Sequence, residues 1–176
     1  PKYANWNILE NYRNQPEKYM ALEKRTVKRY GPLYEFNDVY SFRKSHLYQT
    51  ILIDENSRII RVHHKMDWKD DDYLLKALFP IKDMPEEVFS DTQFGYHAHS
   101  TKNDSFMEKA QYELCSYKWI ELSKERSGFA LFSPVRNGFY AKEGNLELTL
   151  LKSNSYPMEH MDQKPYEYDY ALYPHK

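Results

Sequence analysis

Residues 139–151 read Phe-Tyr-Ala-Lys-Glu-Gly-Asn-Leu-Glu-Leu-Thr-Leu-Leu. Two apolar runs, 139–141 and 146–151, flank the polar tetrad Lys142-Glu143-Gly144-Asn145. Glycine takes positive φ without steric cost, so the tetrad reads as a tight turn and the stretch as a β-hairpin.

The same period of two recurs outward from this hairpin. Residues 34–36, 39–42 and 48–53 alternate, Asp54-Glu55-Asn56-Ser57 reads as a turn, and 59–64 returns as a strand. Residues 73–79 are more continuously apolar and end at Pro80, which cannot donate to a ladder. Residues 88–98 alternate as one strand, with Phe94 and Tyr96 on one face and Gly95 and His97 on the other. After a polar loop at 101–108, strands follow at 112–120, 128–132 and 166–173. Residues 11–27 are the exception: rich in Lys, Glu, Gln and Arg, with Pro16 suited to a first turn, they predict a short N-terminal helix. About ten short strands with little helix predict an all-β fold, an antiparallel β-sandwich. No repeat or linker divides the strands, so residues 1–176 are expected to form a single β-sandwich segment.

Composition narrows the function classes. The chain has 41% hydrophobic residues and only five glycines, which excludes low-complexity disorder. Its 25 basic and 26 acidic residues give a charge of −1, so nothing pulls it toward nucleic acid or an anionic membrane. No apolar run approaches the roughly 18 residues of a membrane span, and no signal peptide opens the chain. The single cysteine, Cys115, excludes an internal disulfide and a multi-cysteine zinc site, and a reducing cytoplasm is the expected compartment. Cys115 sits in a strand-like apolar unit and is expected to be buried and inert. Pro1 and Lys176 read as cuts, so a piece of a larger protein is expected. Seventeen tyrosines suit half-buried pleated surfaces, and such rings also stack on sugars.

Catalytic motifs are sparse. Ser127-Gly128 lacks the flanking glycine of a nucleophile elbow. His97 and His99, two apart on a strand, would face one side, and with Glu113 or His160 as a third ligand they would make a His-based metal site. His63-His64 points its rings to opposite faces and cannot chelate within one strand. Asp67, Asp70-Asp71-Asp72 and Glu86-Glu87 read as solvated turns, and the sequence sets no pair at the roughly 5–9.5 Å a glycosidase needs.

A resemblance goes further. Tyr117-Lys118-Trp119-Ile120-Glu121-Leu122-Ser123 resembles the "H-K-W-A-D-L-S" stretch of cytosolic and bacterial family 38 α-mannosidases. Gly128-Phe129-Ala130-Leu131-Phe132 resembles their "Y-G-V-A-L-L", and Leu148-Thr149-Leu150-Leu151-Lys152-Ser153 their "L-S-L-L-R-S". Met161-Asp162-Gln163 with Tyr170-Ala171-Leu172-Tyr173-Pro174-His175 resembles "D-Q-G-x-H-x-F-T-Y-A-L-Y-P-H". Weaker matches lie at 62–68, at 74–80 and at the opening Pro1-Lys2-Tyr3-Ala4-Asn5-Trp6-Asn7. The chain departs from the family at His99, where an arginine is usual, and at Ala4, where an aspartate is usual.

The resemblance implies the C-terminal β-sandwich of a retaining exo-α-mannosidase, of the supersandwich, galactose-mutarotase-like type. It implies that the zinc cofactor and the aspartate nucleophile sit in an N-terminal catalytic domain of the same polypeptide, with no catalytic or metal residue in this segment. The segment would then support the groove that binds mannose-containing oligosaccharides, with Trp6, Tyr96 and His99 as candidate sugar contacts, and would be inactive alone. The alternatives are an autonomous carbohydrate-binding module and a His-based metal-dependent β-sandwich enzyme.

Overall fold

The computed structural model describes residues 6–9, 12–124 and 127–176 and is nearly all β. The strands are β1 (Ala21–Tyr30), β2 (Leu33–Phe42), β3 (Ser45–Asp54), β4 (Ile60–Asp67), β5 (Tyr73–Pro80), β6 (Glu87–Thr92), β7 (Gly95–Ser100), β8 (Leu114–Cys115), β9 (Trp119–Lys124), β10 (Ser127–Phe132), β11 (Gly138–Lys142), β12 (Asn145–Ser153) and β13 (Pro165–His175). A single four-residue helix, α1 (Phe106–Lys109), joins β7 to β8 among the described residues. The pairings β1–β2, β2–β3, β3–β4, β6–β7, β6–β9, β9–β10, β10–β13, β11–β12 and β8–β11 are antiparallel. The opening segment 1–5 of the weakest sequence match, Ala4 included, lies outside the described residues. No helix among the described residues is long and apolar enough to cross a membrane.

The chain divides into two units, Pro1–Leu74 with Leu151–Asp169, and Leu75–Leu150 with Tyr170–Lys176. It passes from one to the other inside β5, β12 and β13.

In the first unit β1 to β4 form a meander, and β4 is followed in the sheet by β13. Gly31 takes φ 60° between β1 and β2, where a side chain would be strained. Asp54 turns the chain between β3 and β4, its side chain accepting from the Asn56 N–H at 2.9 Å. On one face Asp38, Gln49 and His64 lie side by side across β2, β3 and β4. Arg25 grips Asp38 with two bonds of 2.7 and 2.8 Å, Gln49 donates to the same carboxylate at 3.2 Å, and the Gln49 carbonyl takes the His64 Nε2 proton at 2.8 Å. Trp68, fully buried, stacks on Phe42 and donates to Ser153 Oγ at 3.0 Å and to the Asp70 carbonyl.

The helix predicted over 11–27 does not form. Asn11 lies outside the described residues, Tyr12–Asn14 make one 3-10 turn, and 21–30 are β1. All ten residues of β1 are exposed. Its charged sequence reflects a solvated edge strand with no buried face, and pairing with β2 supplies its backbone bonds.

In the second unit two sheets make the sandwich. One runs β13-β10-β9-β6-β7 and the other β5-β12-β11-β8. Phe79 of β5 reaches Phe129 of β10 and Tyr170 of β13, both with ring centroids 6.1 Å away, so those rings mark the inner face. Ile120, Leu131, Phe139, Leu146 and Leu148 are fully buried, and each such side chain contributes about 2 kcal/mol. The 139–151 hairpin forms with Lys142 opposite Asn145, and Glu143 and Gly144 take φ 55° and 76°, the two left-handed positions its turn requires. Residues 88–98 are not one strand but the hairpin β6–β7, which reverses at Gln93-Phe94 with Thr92 opposite Gly95. Phe94 holds the left-handed position at φ 71°, a place glycine or asparagine normally fills.

Candidate functional site

The outer face of the second unit's five-stranded sheet carries the most chemistry. The registers align Ala98, Phe89, Glu121, Ala130 and Tyr173 across β7, β6, β9, β10 and β13. Tyr96 stands on this face with its ring edge-on to Phe89 at 5.8 Å. His175 stacks on Tyr173, reaches Glu121 at 3.2 Å, and fills the space that Gly128 leaves by lacking a β-carbon.

Beside Phe89 the face hollows into a cleft of about 630 Å³, lined also by Ser100, Lys102, Glu108, Ser123 and Lys124. Its wall is set by a capping box. Ser105 accepts the Glu108 N–H at 3.1 Å, and the Glu108 carboxylate takes the Ser105 N–H at 2.8 Å. The same carboxylate accepts the Ser100 hydroxyl at 2.6 Å, and with the Ser105 bonds this lowers the Glu108 pKa to about 2. The sequence signal for this feature, Ser105-Phe106-Met107-Glu108, was available within the stretch expected to be a loop.

The candidate sugar contacts separate. Tyr96 is exposed on the outer face, whereas His99, three positions on, points to the opposite face and shares Nε2 with the Ser90 hydroxyl at 2.9 Å. Burial, then the neighbouring His97, lowers the His99 pKa. Trp6 belongs to the first unit, where it packs edge-on against Tyr156 at 5.3 Å. Sequence reasoning missed Phe89, which meets Tyr96 only once the hairpin folds, and Ser100 and Glu108, which line the cleft with Phe89.

His97 and His99 do share a side, with ring centroids 4.5 Å apart. Their proposed third ligands are engaged elsewhere. Glu113 pairs with Lys76 and accepts from Thr149 at 2.9 Å, and His160 bonds Asp71. Among the described residues no group of three His, Cys, Asp or Glu could hold a metal ion. His64 is buried and His63 turns outward to Asp169 at 2.9 Å, as alternation requires. Cys115 is exposed, not buried: in the two-residue strand β8 Leu114 takes the inner side and Cys115 alternates outward.

Three carboxylates, Asp38, Asp91 and Glu108, have pKa values displaced downward. Asp38 is held low by Arg25. Burial alone would raise Asp91, but the Lys118 and Trp119 N–H groups and the Ser116 hydroxyl outweigh it. These groups remain anions at neutral pH, suited to accepting hydrogen bonds and not to donating a proton. The face offers rings, hydroxyls and fixed charges: the means to hold a polar, ring-shaped ligand.

The family model described as "Glycosyl hydrolases family 38 C-terminal domain" matches residues 2–160. The chain is 30% identical over 132 residues to "Alpha-mannosidase 2C1" of Mus musculus, covering 75% of this chain and 13% of that protein. It is 27% identical over 128 residues to "Alpha-mannosidase G" of Dictyostelium discoideum, covering 73% of this chain and 12% of that one. A crystal structure of an alpha-mannosidase from Enterococcus faecalis V583 superposes with a TM-score of 0.75 at 13% identity, over 89% of this chain and 22% of that one. The chain thus spans about an eighth of the length of these curated relatives.

Proposed function

The chain belongs to glycosyl hydrolase family 38, as its C-terminal domain, and we propose that it is the non-catalytic β-sandwich of a retaining, zinc-dependent α-mannosidase. It supports the catalytic domain of the same polypeptide and lends its outer face, around Tyr96, Phe89 and the Ser100–Glu108 cleft, to the groove for mannose-containing oligosaccharides. The observation that carries this reading is the set of carboxylates held as anions by cations and N–H donors. A retaining glycosidase needs one carboxyl kept protonated as acid and a second free as nucleophile, and the displaced groups here move the wrong way for the first role. In this reading the zinc is held by the rest of the polypeptide. The lone Cys115 supports a reducing, cytoplasmic setting.

The test is release of nitrophenol from an aryl α-mannoside, with zinc content measured by mass spectrometry. The full-length enzyme should turn over and carry zinc, and this chain, shown folded by circular dichroism, should do neither. Turnover by the chain alone would overturn the proposal. Exposed Tyr96, braced by half-buried Phe89, also favours a second reading, an autonomous carbohydrate-binding module. Calorimetric titration of the chain alone with mannose and manno-oligosaccharides separates the two, since only the module binds by itself.

A further inference from the structure

The tip of the β6–β7 hairpin keeps an aromatic ring where neither conformation nor packing favours one. Phe94 is wholly exposed, at 106% of its reference area, and its backbone sits at φ 71°. A bulky residue there is strained, and the ring meets no apolar cover that would offset the strain. Gly95 is the next residue, yet the register gives the left-handed position to Phe94. Behind the tip, Tyr96 is 68% exposed and braced edge-on by Phe89. An unfavourable turn carrying a bare apolar ring marks an interaction element.

We propose that the tip of this hairpin is a prong, Phe94 at its point, that seats in an apolar recess on the catalytic domain of the same polypeptide and leaves Tyr96 behind it on the groove face. The inference rests on the reading of the chain as one domain of a longer enzyme. The occupant follows from length and charge. The chain matches only 13% of its mouse relative, so most of the polypeptide lies outside this domain. A second copy is the poorer receptor, because the cleft on this domain sets five charged side chains, Glu86 and Lys102 among them, beside Met84, Pro85 and Phe89, and a phenylalanine ring seated there would desolvate those charges. A sugar is the poorer ligand, because Phe94 stands alone at the tip and offers no polar group.

Hydrogen exchange on the full-length enzyme tests this, with the Arg43-Lys44 turn as internal reference. The Gln93 and Phe94 amides, which lie outside the β6–β7 ladder, should exchange about tenfold more slowly than those of the reference turn. Phe94→Gly, which relieves the backbone, should erase that protection and lower the melting temperature. A merely strained turn would melt higher when Phe94 becomes glycine, and a rise overturns the proposal. Protection that fades on dilution assigns a second copy, and protection that needs added mannose assigns a sugar; either also overturns it. Proteolytic cutting of the connecting chain separates the two levels of argument. If the domain stays bound while Gln93 and Phe94 exchange freely, the prong fails and the accessory role stands; if the domain falls away, both fail.

Discussion

Glu108 closes the capping box of α1 and accepts the Ser100 hydroxyl at 2.6 Å, so one carboxylate joins the helix to the edge of the cleft. Its folded pKa, about 2, lies below the unfolded value near 4.5. The stabilisation is therefore complete above about pH 4.5 and is lost as pH falls toward 2. Amide signals of 105–110, followed by NMR, should broaden over that window in the native protein. In Glu108→Gln the same signals should show no such acid transition.

Lys76 lies between Glu113 and Glu147, 2.9 Å from the latter, with all three side chains largely buried. Lys76→Met removes the cation that the two carboxylates share. A loss of about 3 kcal/mol in urea unfolding is expected, since removing one partner of a buried pair strands its charge. Adding Glu147→Leu to Lys76→Met should restore part of that loss.

His64 is buried, and desolvation lowers its pKa to about 4. Burial favours the neutral ring, whose Nε2 donates to the Gln49 carbonyl. Its unfolded value lies near 6.5, so stability is fully present above pH 6.5 and declines as pH falls toward 4. Unfolding at stepped pH should show this slope in the native chain and a flatter curve in His64→Gln.

Trp68→Ala should cost about 4 kcal/mol in the same assay, because the fully buried indole leaves a cavity. It also strips Ser153, buried at 0% exposure, of a donor. Trp68→Phe should cost less.

Tyr96→Ala in the full-length enzyme should raise KM for a manno-oligosaccharide about fivefold, equal to about 1 kcal/mol, and leave kcat unchanged. An unchanged KM would remove Tyr96 from the groove.

The hairpin at 139–151 was legible because Gly144 stands where the turn needs positive φ and leucines alternate after it. The β1 strand was not, because a strand exposed on both faces has no apolar period to read. The β6–β7 turn hid for another reason: its left-handed residue is Phe94, with the glycine one place late. Cys115 was misjudged because apolar neighbours were read as burial, when side-chain alternation sets the face. Of the candidate site, Tyr96 was legible as an aromatic. Its companions Phe89, Ser100 and Glu108 depend on strand pairing that one-dimensional spacing does not show.

Three strands, β5, β12 and β13, are each split between the two units. Neither unit is therefore a contiguous stretch of chain. Ending translation at residue 74 would omit 151–169, and starting at 75 would carry those residues without their partners. Recombinant trimming at any of the three crossings, 74/75, 150/151 or 169/170, therefore cuts through a strand and gives a piece of it to each unit.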